Sequence, residues 1–126
     1  MDVMFSEGGY GMQPHASHPL AQEIQQLHAS VCSALSDPTR IALLYGLAEG
    51  PRSVASLVKA LALPQPTISR HLKTLREQRL VEAERQGVSV VYSLTDRRVI
   101  QALDLLRQVL ADSLASRGAL AEAMAT

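Results

Sequence analysis

The chain has 126 residues, enough for one domain of ordinary size; 47% are hydrophobic, but only 3% are aromatic and none is Trp, so any core must be aliphatic. Its 12 Lys and Arg balance 12 Asp and Glu, so net charge gives no support for a polyanionic partner, and a basic surface would have to come from local segregation. A single cysteine, Cys32, excludes an intramolecular disulfide framework and a cysteine-rich zinc site; no apolar run is long enough to span a bilayer, and the N-terminus lacks a secretory signal, which together lead us to expect a cytoplasmic protein.

Residues 1–18 contain three Gly, three Met, two His and a Pro without periodicity, and are expected to form a flexible N-terminal arm. Pro19 suits the first turn of a helix, where its missing N–H costs nothing. From there Leu20, Ile24, Leu27, Val31 and Ala34 or Leu35 recur at helical spacing, which predicts a first helix to about Ser33. Ser36-Asp37-Pro38 marks a second start, with Asp37 as cap and Pro38 at the first helical position. Ile41, Leu44, Tyr45 and Ala48 form its inner stripe, and Glu49-Gly50-Pro51 ends it. Ser53 caps a short third helix through Leu61, with Val54, Leu57, Val58 and Leu61 inside.

Ala62-Leu63-Pro64 then turns into the stretch from Leu63 to Arg79. Here Ile68, Leu72 and Leu75 define one helical face, while Arg70, Lys73 and Glu77 point the other way and Ser69 and Thr74 flank them. Two short helices joined this tightly form a helix-turn-helix, the device that places side chains in the DNA major groove. Taken alone, the same stretch also reads as a surface helix with a solvated basic face.

The period then changes to two. Val81-Glu82-Ala83-Glu84-Arg85 alternates, Gln86-Gly87 is expected as the turn, and Val88 to Leu94 is rich in β-branched residues, predicting a two-stranded hairpin. A helix-turn-helix followed by a hairpin is a winged helix. Thr95 is the expected cap of a last, long helix with Val99, Leu103, Leu106, Leu110 and Leu114 on one stripe and Ile100 and Val109 beside it. The central helices are too small to cover this stripe and that of the first helix. We therefore expect a homodimer whose interface comprises Leu20, Ile24, Leu27, Val31, Val99, Leu103, Leu106 and Leu110; an antiparallel pair within one chain would leave one face wet. The fold class is mainly α with a β-hairpin wing. The domain is expected over residues 19–117, with a C-terminal tail at 118–126. Residues 65–98 hold seven cations against four anions, the local basic surface that phosphate contact requires.

The sequence resembles the ArsR/SmtB family of winged-helix repressors. The likeness rests on Ala34-Leu35-Ser36-Asp37-Pro38-Thr39-Arg40, on Pro66-Thr67-Ile68-Ser69-Arg70-His71-Leu72-Lys73-Thr74-Leu75, and on the wing ending Val91-Tyr92-Ser93-Leu94. It covers roughly residues 20 to 115 and implies a dimeric repressor on a pseudo-palindromic double-stranded DNA operator, released by an effector. Gln65, Thr67, Ser69 and Arg70 fall where the family reads bases; Lys73, Arg76 and, in the wing, Arg85 would meet phosphates. Arg forks onto guanine and Gln onto adenine, whereas phosphate contacts give affinity and salt dependence. His71, at the edge of the apolar face, is expected to pack and hydrogen-bond. One departure is that Pro64 stands where the family usually has a small hydroxyl cap, and Pro66 follows; fewer N–H donors at the helix start imply weaker phosphate anchoring there.

The resemblance also implies places where an effector metal would bind. One family site uses cysteines where this chain has Ser53 and Ala55. Another uses donors where this chain reads Asp96, Arg98, Val109 and Asp112, and a guanidinium cannot ligate. The remaining candidates are His15, His18, His28 and Cys32. His28 and Cys32 share a helix face, and mixed His/Cys donors suit zinc, copper or nickel; the alternative is that Cys32 is a small buried hydrophobe and His28 an edge residue. No Ser/His/acid trio or glycine-rich phosphate loop supports an enzyme. The rival to a DNA-binding regulator is a winged helix that binds protein instead, which Glu77 on the outward face mildly favours.

Overall fold

The computed structural model describes residues 19–125 of the chain, which divide into two compact units, one ending at Pro38 and the other starting at Thr39. The expected arm, with His15 and His18, lies outside the described residues.

In the first unit, α1 spans Pro19–Leu27 and begins with the proline, as its chemistry favours. It widens into a π-helical stretch at His28–Cys32, where the Ser33 N–H reaches back to the His28 carbonyl. The Ser30 hydroxyl donates to the Gln26 carbonyl at 2.7 Å, a side-chain bond of the kind that competes with the main-chain ladder. The helix therefore has the expected extent but not the expected regularity. Leu20, Ile24 and Leu27 are each about half exposed, while Ala21 and Ala34 are buried.

The second unit is built from α2 (Pro38–Gly46, entering the unit from Thr39), β1 (Arg52–Ser53), α3 (Val54–Leu61), α4 (Gln65–Glu77), β2 (Val81–Gln86), β3 (Ser89–Leu94) and α5 (Arg98–Ala125). Its core holds Leu43, Leu44 and Leu47 from α2 and the turn after it, Leu57 from α3, and Ile68, Leu72 and Leu75 from α4. Gly46 lets α2 approach α3, since a Cβ there would meet Leu57 Cδ2 at 3.2 Å. Ser53 caps α3 by accepting from the Ser56 N–H at 3.1 Å. Ala62, in the left-handed region, ends α3 and starts the turn into α4.

α4 ends in a Schellman arrangement: the Leu80 N–H bonds to the Leu75 carbonyl and the Arg79 N–H to the Arg76 carbonyl. Arg79 occupies the left-handed position there (φ 63°), a conformation that glycine adopts without steric cost.

The wing differs from its sequence reading in two ways. It is a three-stranded antiparallel sheet in the order β1-β3-β2, because Arg52 and Ser53 pair with Tyr92 and Val91. The two-residue turn is Gly87-Val88, not Gln86-Gly87, since Gln86 pairs with Ser89. Gly87 supplies the positive φ (66°) at its first position.

At the start of α5, Asp96 rather than Thr95 supplies the side-chain cap: its carboxylate accepts from the Arg98 N–H at 2.9 Å and from the Arg98 guanidinium at 2.7 Å. These bonds hold the Asp96 carboxyl at about 2, below its ordinary value of 3.8. The first turns of α5 enter the core through Ile100 and Leu103. Leu103 is therefore corrected from an interface residue to a core residue, being 5% exposed within the chain. Tyr45 on α2 then ties α5 down. Its hydroxyl donates to Asp104 Oδ1 at 2.6 Å, and the Arg107 guanidinium lies 5.3 Å from the ring centroid. Burial and the Asp104 contact push the Tyr45 hydroxyl up from its ordinary value. Beyond Asp104 every described residue of α5 is exposed. Residues 118–125, expected as a tail, continue the helix.

Replacing Arg79 by glycine removes the left-handed strain at the end of α4. We expect Arg79→Gly to stabilise the fold by about 0.5–1 kcal/mol, after allowance for the greater freedom of glycine in the unfolded chain. Urea denaturation measures it, and a lower midpoint would contradict the strain argument.

Candidate nucleic-acid interface

The candidate surface is the outward side of α4 with the neighbouring wing. The inner side of α4 is sealed: Ile68, Leu72 and Leu75 have no solvent exposure. Because these positions are spaced four and three apart, the helix cannot rotate without bringing polar side chains inward, Thr67, His71 and Thr74 one way or Ser69, Lys73 and Arg76 the other. Gln65, Arg70, Lys73, Arg76 and Glu77 are consequently exposed, with Thr67, Ser69 and Thr74 half-buried along the flanks. α3 packs against α4, and β2 lies against α4 from the wing side. Arg85, near the end of β2, is exposed.

Pro64 is the N-cap residue and makes no side-chain capping bond; Pro66 lies in the first turn. This end of the helix thus presents fewer N–H donors than a hydroxyl-capped one. Two side-chain pairs lie on the outward surface. Gln65 Nε2 donates to Ser69 Oγ at 2.9 Å. Lys73 Nζ lies 3.8 Å from Glu77 Oε2, both side chains largely in solvent, so that ion pair contributes little to stability.

His71 is buried at 9% exposure, and the Arg40 Nη1 lies 3.2 Å from its Nδ1. A guanidinium only donates, so His71 Nδ1 is the acceptor of this contact. Packing and hydrogen bonding is the role expected for His71. The partner, Arg40 on α2, is 31 residues away in sequence; it stands within the family-like motif, but nothing local in the sequence signals the pair.

The expected dimer residues fall unevenly. Leu20, Ile24, Leu27, Leu106 and Leu110 are at least half exposed, Val31 and Val99 are half-buried, and Leu103 is in the core. Among the metal candidates, Cys32 is exposed, not a buried packing residue, and His28 is exposed on the same π-helical stretch. Among the described residues no group of three or more His, Cys, Asp or Glu side chains stands together to hold a metal ion. At the start of α5, Asp96 and Arg98 form an ion pair at 2.7 Å.

Tight helix-turn-helix, sealed inner face and three-stranded wing define a winged helix-turn-helix protein. Residues 37–83 match the family described as "Bacterial regulatory protein, arsR family". The HTH-type transcriptional regulator NmtR of Mycobacterium tuberculosis is 38% identical over 98 residues, 76% of this chain and 82% of that one. The HTH-type transcriptional repressor SmtB of the same species is 41% identical over 81 residues, 64% of this chain and 60% of that one. The solution structure of a homodimeric winged helix-turn-helix DNA-binding domain from Mycobacterium bovis, a possible ArsR-family regulator, superposes with a TM-score of 0.67 at 30% identity. It covers 77% of this chain and 89% of that one. The chain belongs to the ArsR family and is a DNA-binding transcriptional regulator, not an enzyme. No helix among the described residues is long and apolar enough to cross a membrane.

Removing the donor that faces His71 leaves a buried imidazole nitrogen unmatched. Arg40→Met, which keeps much of the stem, is expected to cost about 1–3 kcal/mol in urea denaturation. An unchanged midpoint would show that the Arg40 contact contributes nothing.

Proposed function

We propose that the protein is a repressor that acts as a homodimer on a pseudo-palindromic operator and leaves it when an effector binds. The observation that carries the reading is the two-sidedness of α4. Its apolar face is sealed, while Gln65, Arg70, Lys73 and Arg76 stand in solvent. In this reading α4 lies in the major groove. Gln65, Thr67, Ser69 and Arg70 face base edges, and Lys73, Arg76 and the wing residue Arg85 meet phosphates. Such a protein works in the cytoplasm, where operator DNA lies.

The dimer reading is supported by exposed apolar side chains that a monomer would leave wet: Leu20, Ile24 and Leu27 on α1, and Leu106, Leu110 and Leu114 on α5. For release, the described residues offer one mixed donor pair, His28 and Cys32, whose chemistry suits zinc, copper or nickel. Two donors do not complete a site, so a metal held there takes further ligands from elsewhere, with His15 and His18 as the remaining histidine candidates.

Fluorescence anisotropy on the duplex upstream of the protein's own gene tests this reading. Affinity is expected to fall steeply as salt rises from about 50 to about 200 mM, and Lys73→Ala to reduce the salt slope by about one. Salt-independent binding would sink the DNA reading. Zinc, copper(I) or nickel added to chelated protein is expected to release the duplex, and Cys32→Ser to abolish that response; release that persists in Cys32→Ser excludes the pair as sensor.

Light scattering measures the assembly. A dimer mass is expected, with Leu110→Glu shifting it to a monomer that binds the operator at least about tenfold more weakly, because both half-sites can no longer be held at once. A wild-type monomer, or full affinity in the Leu110→Glu variant, would overturn the dimer reading.

A further inference from the structure

We propose that the Tyr45 hydroxyl and the Asp104 carboxylate are positioning groups that fix the direction in which α5 leaves the core, and thereby set the half-site spacing that the dimer accepts. This rests on the reading that two copies hold two half-sites at once. The face that α5 turns to the rest of its unit comprises Ile100, Leu103, Asp104 and Arg107, which share one side of a helix by their spacing. Ile100 and Leu103 are buried, but apolar contact is non-directional and lets a helix pivot. Polar contacts to α2 and its end supply the direction. Just before α5, the Arg97 guanidinium donates to the Ala48 carbonyl. Seven residues on, the Tyr45 hydroxyl donates to Asp104 Oδ1 at 2.6 Å. The Arg107 guanidinium donates to the same oxygen at 3.3 Å and lies over the Tyr45 ring. Seven residues of helix advance about 10 Å. One contact would leave α5 a pivot; two that far apart define its axis.

Beyond Asp104 every described residue of α5 is exposed, so the direction of the Leu106, Leu110 and Leu114 stripe is decided at this join. The Arg107–Asp104 ion pair is largely in solvent, at 69% and 47% exposure, and contributes little by itself. The part-buried Tyr45 bond is the contact that holds. Towards its other end α2 bonds to the recognition helix, where Arg40 Nη1 lies 3.2 Å from His71 Nδ1. α2 thus carries one directional contact to each of the two helices whose relative angle decides where the second α4 stands. Half-sites one helical turn apart place each recognition helix about 17 Å from the two-fold axis. A tilt of about 10° over that arm moves α4 by about 3 Å, close to the rise of one base pair. A join held well within that angle discriminates single-base-pair changes of spacing, and a looser one does not.

The test uses the full-length protein. Footprinting on the duplex upstream of its own gene locates the two half-sites. Fluorescence anisotropy then compares duplexes with the natural spacing, one base pair more and one base pair fewer. Wild type is expected to bind the altered spacings about tenfold more weakly. In Tyr45→Phe, which removes only the hydroxyl, that penalty is expected to shrink to about twofold or less, with the dimer mass and the affinity for a single half-site duplex unchanged. Asp104→Ala should behave like Tyr45→Phe and add nothing to it in the double variant. Asp104→Asn, whose carboxamide oxygen still accepts from the phenol, should keep the wild-type profile. An unchanged spacing profile in Tyr45→Phe would overturn the proposal. A monomeric Tyr45→Phe, or equal losses on single and paired half-sites, would also overturn it, since the hydroxyl would then hold the dimer or the fold and not its angle. A wild type indifferent to spacing would instead overturn the paired-half-site reading itself, and the proposal with it.

Discussion

The sealed inner face of α4 is the constraint from which the other features follow. With Ile68, Leu72 and Leu75 fully buried, a rotation by one residue, about 100°, would drive polar side chains into an aliphatic core. The outward face is thus aimed by packing rather than by contacts of its own. This suits a surface that must meet a rigid duplex, since the helix loses little freedom on docking. His71 is the polar exception on the inner face, and the Arg40 contact from α2 makes it tolerable. The same contact links the α4 interior to α2 through a directional bond, where the surrounding leucines provide only shape.

The sequence carried the parts of this fold whose chemistry is local. The Pro38 helix start, the Ser53 cap and the α4 stripe are each decided within a few residues, and each stands where its residues indicated. What escaped has a physical reason in each case. The β1 strand is only Arg52–Ser53, too short to show a period of two, and exists because β3 offers it a partner. Gly87 announces a turn but does not say which of its two positions the glycine fills. Thr95 and Asp96 are both capping residues, and the Arg98 guanidinium beside Asp96 favours the carboxylate. Residues 118–126 are expected as a tail, yet the alanines at 119, 121, 123 and 125 have the highest helix propensity and carry α5 onward. The candidate site was legible as a set of residues on a face. The Arg40–His71 pair was not, because only the folded chain brings those residues together.

α5 does two jobs divided at Asp104. Up to that point Ile100 and Leu103 belong to the core, and the Tyr45–Asp104–Arg107 cluster fastens the helix to α2. Beyond it the helix has no buried residue, though Leu106, Leu110 and Leu114 continue the apolar stripe. Leu103 and Leu110 lie on almost the same line of the helix, since seven residues make nearly two turns. Their burial differs because the core ends between them. Sequence periodicity reports the line and is blind to where along it the core stops.

Charge on this molecule is a matter of placement. Lys and Arg balance Asp and Glu over the whole chain, so a nucleic acid sees attraction only where the fold segregates the two signs. On α4 the segregation is incomplete: Lys73 has Glu77 one turn away, and phosphate approaching that end meets a carboxylate as well as an ammonium. The other end of the helix has proline at the cap and no side-chain capping bond, which weakens the backbone anchor that helix starts usually offer to phosphate. In the proposed reading, binding by this surface would therefore lean on side chains between the two ends more than on the helix ends themselves. Arg70 brings a planar fork that needs little ordering.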